Sequence, residues 1–277
     1  SNAVDSNAAR LRDALRRVDL DVYIQDIFTS HEIEGKKPQR IYFQSIQSHL
    51  PPSPEYILVG DGYGTDVVGA WQAGWLSVWY NPSGAAAPGL LPLYDIEIRQ
   101  MQDLPAALTA PRLPGWNQTQ GWLVEQQVPA NLILHVQNVA SIAYQLALWL
   151  RAAGEKVDPL LAHRGGMLHD LAKVNTLHKS SINHGEAAAR ILEDRGYPAL
   201  AEIARRHILT HVLDDKLAPR TWEEKVVFLA DKLSEGSRLV TLDQRINALS
   251  QRYSRFSAGS QSCLPALRKL QREICAR

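Results

Sequence analysis

Seven of the nine histidines fall between positions 135 and 211, and their company matters more than their number. His135 stands in an otherwise apolar run, NLILHVQNVA. His169 and Asp170 are adjacent in GGMLHDLAK. His184 opens HGEAAARIL, His207 closes AEIARRH, and Asp231 follows the apolar VVFLA. A carboxylate inside an apolar helical stretch is costly unless it is paired, hydrogen-bonded or bound to a metal. A lone imidazole there is more often a satisfied core residue. Taken together, though, these residues form a mixed imidazole and carboxylate ligand set. Such sets hold one or two divalent ions of the Mn, Fe, Zn or Mg type, and residue identity does not choose among them.

A second acidic pair lies earlier in the chain. In ILVGDGYGTD an apolar run ends at Gly60-Asp61, and Asp66 follows. Asp61 is expected at the carboxyl end of a strand, where ligands bind in open α/β sheets. Asp66 is expected to open and cap the next helix. Two carboxylates so placed can grip a hard cation such as Mg²⁺, or they form a plain turn with a helix cap.

The elements that must position these residues differ between the two halves. Over 4–108, YILVG and LSVWY read as short buried strands and YDIEIRQM as an edge strand. They alternate with the helical AARLRDALRRV and DVVGAWQAG, the latter closed by Gly74. This is a partial, Rossmann-like α/β domain with a parallel sheet. Residues 109–130, rich in Pro, Gly and Gln, read as a linker. From 131 to 277 the pattern is helical throughout, and TWEEKVVFLADKLSEG opens with a Thr221–Glu224 capping box and stops at Gly236. Ser1-Asn2-Ala3 resembles an expression-tag remnant and is set aside from the fold.

The chain has 277 residues, 45% of them hydrophobic, enough for two cores. A net charge of +1 provides no basic field for nucleic acid. Two cysteines argue against a disulfide framework and fit a reducing, cytoplasmic setting. No apolar run is long enough to span a membrane.

The stretch from TSHEIEGKKP through GDGYGTD to WYNP resembles the haloacid-dehalogenase-like (HAD) hydrolases over most of residues 4–108. That resemblance implies that Lys37 of GKKP contacts phosphate, that Asp61 and Asp66 form the acidic motif, and that Ser6 stands at the Ser/Thr motif. The family's nucleophilic Asp belongs on a strand upstream of Ser6, and no DxDxT-like segment occurs in this sequence. Aspartyl-phosphate chemistry needs that carboxylate. The half therefore reads as truncated and vestigial, with sheet edges that a partner subunit in a homo-oligomer would cover.

Residues 131–240 resemble the HD-superfamily metal-dependent phosphohydrolases, whose pattern is H…HD…(H…H)…D. The strings LHDLAK, HGEAAA, RRH and EKVVFLADKL are similar to the HD hydrolases that split diadenosine tetraphosphate, although HILTHVLDD and KLSEG depart from that group. The resemblance implies that Asp170 bridges two metals, with His135, His169 and Asp231 at one and His184 and His207 at the other. A bridging hydroxide would then attack phosphorus. Lys173, one turn beyond Asp170, would steady a phosphate or stand as a solvated lysine. His211 is expected just outside the ligands, and His163 and His178 at the surface. Arg205 and Arg206 either meet phosphates or are solvated. The expected function is hydrolysis of a phosphoester or phosphoanhydride of a phosphorylated small molecule, a nucleotide by this reading. Two alternatives stand beside it. One is a nucleotide sensor with little turnover. The other is a bifunctional protein whose HAD nucleophile strand lies outside this sequence.

Overall fold

A computed structural model describes residues 1–3, 5–176, 182–252 and 257–277. His178 lies outside the described residues. The chain divides into two units, Ser1–Pro88 with Leu93–Arg112, and Gly89–Pro92 with Leu113–Arg277.

The first unit holds α1 (Ala8–Arg16), α2 (Arg40–His49), β1 (Ile57–Gly60), α3 (Val68–Ala73), β2 (Leu76–Tyr80), β3 (Ile96–Ile98) and α4 (Leu104–Thr109). The strands form a parallel sheet in the order β1-β2-β3, with Val59 opposite Val78 and Val78 opposite Ile96. The β-branched and aromatic residues of LSVWY suit the buried centre of this sheet. By contrast β1, expected to be buried, is exposed at Ile57 and only partly covered along the rest of its length, because β2 is its one neighbour among the described strands. Tyr42, Phe43, Ala70 and Trp75 fill the core beside it. Gly74 ends α3 at φ +74°, a left-handed cap that glycine adopts without strain. Asp66 differs from its expected role as a cap. It lies inside a wide turn, Tyr63–Val67, ahead of α3, with its side chain folded back rather than toward the helix end.

The second unit is helical. It comprises α5 (Trp116–Glu125), α6 (Ala130–Ala152), α7 (Pro159–Leu168), α8 (Lys173–Thr176), α9 (His184–Asp194), α10 (Pro198–Arg206) and α11 (Trp222–Lys232). A two-stranded β4 (Ser234–Glu235) and β5 (Arg238–Leu239) follow, then α12 (Leu242–Arg252), α13 (Ser257–Ser262) and α14 (Leu264–Cys275). The stretch read as a linker carries α5, whose Leu123 and Thr119 are fully buried. Leu123 joins Val136, Met167 and Leu168 in one of the unit's two apolar clusters. Helical spacing of Thr119 and Leu123 was masked there by the surrounding Gln, Gly and Pro. The α11 capping box forms as its sequence implies, but the helix stops at Lys232 because the chain turns into β4.

Helix α7 sets the geometry of this unit. It starts at Asp158, which accepts hydrogen bonds from the Leu160 and Leu161 amides, with Pro159 in the first turn. All its residues but Leu161 are buried. A Cβ on Gly166 would lie 2.6 Å from the Ala140 Cα of α6, and one on Gly165 would lie 2.7 Å from Ile203 of α10. The glycine pair thus lets α7 sit close to both neighbours. His169 and Asp170 follow at its carboxyl end.

His163, expected at the surface, is 1% exposed. It lies within α7 beside Trp116 and Tyr144. Arg164, fully buried, donates to His163 Nδ1 at 2.9 Å, to the Pro114 carbonyl at 2.9 Å and to the Pro92 carbonyl at 3.0 Å. An imidazole that accepts at Nδ1 from a guanidinium is held neutral, and burial followed by the Arg164 charge keeps its pKa well below the ordinary value. Among the described residues no helix is long and apolar enough to cross a membrane.

Two outcomes follow. Gly166→Ala places a methyl against backbone that cannot rotate away. It should cost about 1–3 kcal/mol net of any gain in helix propensity, read as a lower melting temperature and reduced metal binding. Because His163 has a lower pKa folded than unfolded, the unfolded state binds the extra proton, and stability rises with pH. Its contribution is complete above about pH 6.5 and declines below it, by at most about 1.4 kcal/mol per pH unit. Chemical denaturation of wild type and His163→Gln at pH 5 and pH 8 checks this. The variant should show a smaller difference in stability between the two pH values.

Candidate metal centre

Four imidazoles and two carboxylates converge where α6, α7, α9, α10 and α11 meet. His135 comes from α6, and His169-Asp170 from the end of α7. His184 is the first residue of α9, His207 caps α10, and Asp231 sits in the last turn of α11. Five of the six are buried, and the His184 side chain is 28% exposed.

Local hydrogen bonds fix which nitrogen points inward. His169 Nδ1 lies 2.8 Å from the Gly166 carbonyl, and His207 Nδ1 lies 2.5 Å from the Ala204 carbonyl. A carbonyl only accepts, so each Nδ1 carries the proton, and a neutral ring then leaves Nε2 as a bare lone pair. At His135 the partner is Ser234 Oγ, 3.4 Å from Nδ1. Ser234 also accepts from Asn138 at 2.6 Å and donates to the Gly236 carbonyl at 3.1 Å.

Two of the inward atoms lack protein partners, while His135 Nε2 shares a hydrogen bond with Asp231 Oδ1. His169 Nε2 and Asp170 Oδ1 are buried and make no hydrogen bond. Asp170 Oδ1 lies 3.3 Å from Nε2 of both His184 and His207 without bonding either, and these two nitrogens face each other at 3.0 Å. Asp231 Oδ1 lies 3.1 Å from His135 Nε2 and 3.8 Å from His169 Nε2. The orphaned His169 Nε2 and Asp170 Oδ1 are unfavourable unless a cation lies among them. The donor set therefore fits divalent ions. Two groups have ligand atoms all within 4.8 Å of one another, His135-His169-Asp231 and His169-Asp170-His207. His169 belongs to both, and His184 approaches through Asp170 Oδ1.

Electrostatics favour the ligand forms. Burial pushes Asp170 and Asp231 upward, but Lys173 beside Asp170, Lys232 beside Asp231 and the neighbouring histidines hold both well below the usual carboxylate range. Burial lowers His207 to about 3 against the pull of Asp170, so it is neutral at physiological pH. Lys173 Nζ donates to Asp170 Oδ2 at 2.6 Å. Lys232, buried and not singled out from the sequence, donates to Asp231 Oδ2 and, at 2.6 Å, to the His207 carbonyl, tying α11 to the end of α10. A lysine next to Asp231 in an apolar helix was the available signal for it.

His211 turns away, with Nδ1 3.1 Å from the Arg205 carbonyl. Arg205 is taken up by Glu186, Glu193 and Glu202. Arg206 is buried rather than solvated, and it donates to Glu202 and to the carbonyls of Lys216 and Ala218.

The acidic residues of the first unit are arranged differently. Lys37 Nζ pairs with Asp66 Oδ1, and Asp66 Oδ2 accepts from the Gly62 amide at 2.9 Å. A Cβ on Gly60 would lie 2.4 Å from Asp66 Cγ, which explains the glycine before Asp61. Asp61 is exposed. Ser6 bonds to neither Lys37 nor Asp66. Asn2, set aside as part of a tag-like segment, brackets the Lys37 backbone instead. It accepts from the Lys37 amide at 2.8 Å and donates to its carbonyl at 3.0 Å.

Comparison with known proteins agrees with this division. Residues 132–236 match the HD domain family. The chain is 35% identical over 133 residues to the uncharacterized protein MJ0778 of Methanocaldococcus jannaschii, covering 44% of this chain and 77% of that protein. It is 33% identical over 98 residues to the putative HAD-hydrolase YfnB of Bacillus subtilis, covering 34% of this chain and 39% of YfnB. A crystal structure of a HAD phosphatase from Thermococcus onnurineus aligns at 28% identity and a TM-score of 0.31, covering 37% of this chain and 47% of that one. The chain thus spans less than half the length of either HAD protein, over its N-terminal region. Residues 132–236 belong to the HD-domain family of metal-dependent phosphohydrolases, with a HAD-like region preceding that domain.

Proposed function

We propose that the second unit hydrolyses a phosphoester or phosphoanhydride of a nucleotide, using divalent ions held by His135, His169, Asp170, His184, His207 and Asp231, with Asp170 shared between two ions. The observation that carries this reading is the pair of orphaned buried atoms, His169 Nε2 and Asp170 Oδ1, where four imidazoles and two carboxylates converge. Divalent ions there acidify water and offset the charge that grows on phosphoryl oxygens.

The chain's own residues prepare the rest. The carbonyls of Gly166 and Ala204 hold His169 and His207 in the tautomer that aims Nε2 inward. Lys232 keeps Asp231 in place, and its bond to the His207 carbonyl fixes the distance between two ligand-bearing helices. Lys173, with its side chain 30% exposed, can release Asp170 and meet a phosphate oxygen of the substrate. The exposed flank of His184 marks the side open to solvent and substrate. The closed Lys37–Asp66 pair supports assigning turnover to the second unit rather than the first. A cytoplasmic setting completes the reading, supported by two free cysteines, Cys263 and Cys275.

Protein purified with Mn or Fe supplied should contain one to two ions per chain by elemental analysis. It should release product from nucleotide substrates, and chelation should abolish the release. Protein that takes up no metal and stays inert toward nucleotides would remove this reading. Asp170→Ala should lower kcat by at least about 100-fold and reduce metal content; full activity would refute Asp170 as a shared ligand. Lys232→Met should retain the fold but bind metal more weakly, by about 10- to 100-fold, as measured by metal titration.

A further inference from the structure

One buried cation beside the centre has no task in the scheme above. Arg245 stands in the first turn of α12, which opens with a reciprocal cap: the Thr241 amide donates to Gln244 and the Gln244 amide donates to Thr241 Oγ1. This cap and the β4–β5 turn bring Arg245 back beneath the end of α11. Its residue is 8% exposed. Nη1 is held by Glu235. Nη2 lies 3.8 Å from Asp231 Oδ1, beyond hydrogen-bond distance, and Nε is buried with no partner at all.

A guanidinium has five N–H donors in a rigid fork. Burying it with Nε idle is unfavourable unless another acceptor completes it. Asp231 is not that acceptor, because its nearer oxygen stays 3.8 Å from Nη2. We propose that Arg245 binds the substrate's phosphate, and that the substrate presents a terminal phosphate dianion rather than an internal diester. This proposal rests on the phosphohydrolase reading above.

Charge balance supports the second clause. Lys173, Lys232 and Arg245 oppose Asp170, Asp231 and Glu235 one for one. The imidazoles add nothing when they are neutral ligands. Every divalent ion then leaves the centre with an excess of two positive charges. With the two ions of the reading above, a phosphomonoester or terminal phosphate, carrying two negative charges, offsets more of that excess than an internal diester, which carries one. Arg245 anchored through Nη1 to Glu235 keeps Nε and Nη2 as a parallel pair for two phosphate oxygens, the geometry in which arginine binds this group best.

The test measures inorganic phosphate binding by calorimetry on wild type, Arg245→Gln and Arg245→Lys, each with and without Mn, beside metal content and melting temperature. Turnover of p-nitrophenyl phosphate and bis(p-nitrophenyl) phosphate is followed in parallel. Arg245→Gln should weaken phosphate roughly 10- to 100-fold and raise the KM for the monoester by a similar factor. Metal content should hold, and diester turnover should fall by a smaller factor than monoester turnover. Arg245→Lys, which keeps the charge and the Glu235 pairing, should lie between and carries the measurement if the Gln variant does not fold. Unchanged phosphate affinity would overturn the proposal. So would metal loss in proportion to phosphate loss, since Arg245 would then act only through Asp231. A wild type that prefers the diester would overturn the dianion clause. If wild type takes up no metal, the phosphohydrolase reading fails, while the metal-free phosphate titration still decides the role of Arg245.

Discussion

Asp170 Oδ1 is a buried carboxylate oxygen that accepts no hydrogen bond while two imidazole nitrogens stand 3.3 Å away. Such an arrangement is unfavourable in isolation, since each group has lost water and gained no donor. It persists because the scaffold over-determines it. Gly165 and Gly166 press α7 between α6 and α10, so the residues that follow α7 have little freedom in where they point. Backbone carbonyls consume the Nδ1 protons of His169 and His207. The unfavourable convergence is compensated by an apolar shell of alanine, leucine and valine from the same helices. A site held this way is ready for a cation before one arrives, which is what preorganisation for charge stabilisation requires.

The cations around the centre form a second layer with the opposite logic. Lys173 and Lys232 each sit on one oxygen of a carboxylate in the cluster, leaving the other facing the imidazoles. They hold Asp170 and Asp231 ionised despite burial. They also prevent the two acids from repelling one another across the cluster. Replacing a ligating carboxylate would therefore remove an ion's anchor and leave a buried ammonium without its partner, a compound loss rather than a single one.

The converging cluster was legible in the sequence because it needs particular residue types in places where packing alone would not put them. His135 and Asp231 stood out as polar residues in apolar helical runs. Residues that act through conformation were not legible. His163 lies in a helix buried on nearly every side, PLLAHRGGML, so no polar face existed to contrast with it, and an adjacent arginine suggested solvent instead. Arg206 read as solvated because its helix is strongly amphipathic, yet it sits at the margin of that face and bonds inward. Asn2 was missed since its role is to bracket the Lys37 backbone, and a bond between positions 35 residues apart leaves no local pattern. Arg245 depends on a turn and a cap that bring it back under α11, which spacing does not encode.

The two acidic sites separate on the same physical criterion. Asp66 is buried like Asp170, and both have a lysine on one oxygen. The second oxygen of Asp66 accepts from the Gly62 amide, so the carboxylate is complete as it stands. The second oxygen of Asp170 has no hydrogen-bond partner. Among the described residues, the unpartnered buried polar atoms all lie in the helical unit, and three of them belong to His169, Asp170 and Arg245. A buried polar atom left without a partner raises the free energy of the fold by roughly 1–3 kcal/mol, so its persistence needs a compensating role. Two of these three atoms belong to the cluster, and the third is on an arginine whose Nη2 lies 3.8 Å from Asp231 Oδ1. Acceptors are completed by a cation and the donor by an anion, and a metal phosphate is the chemistry that completes both.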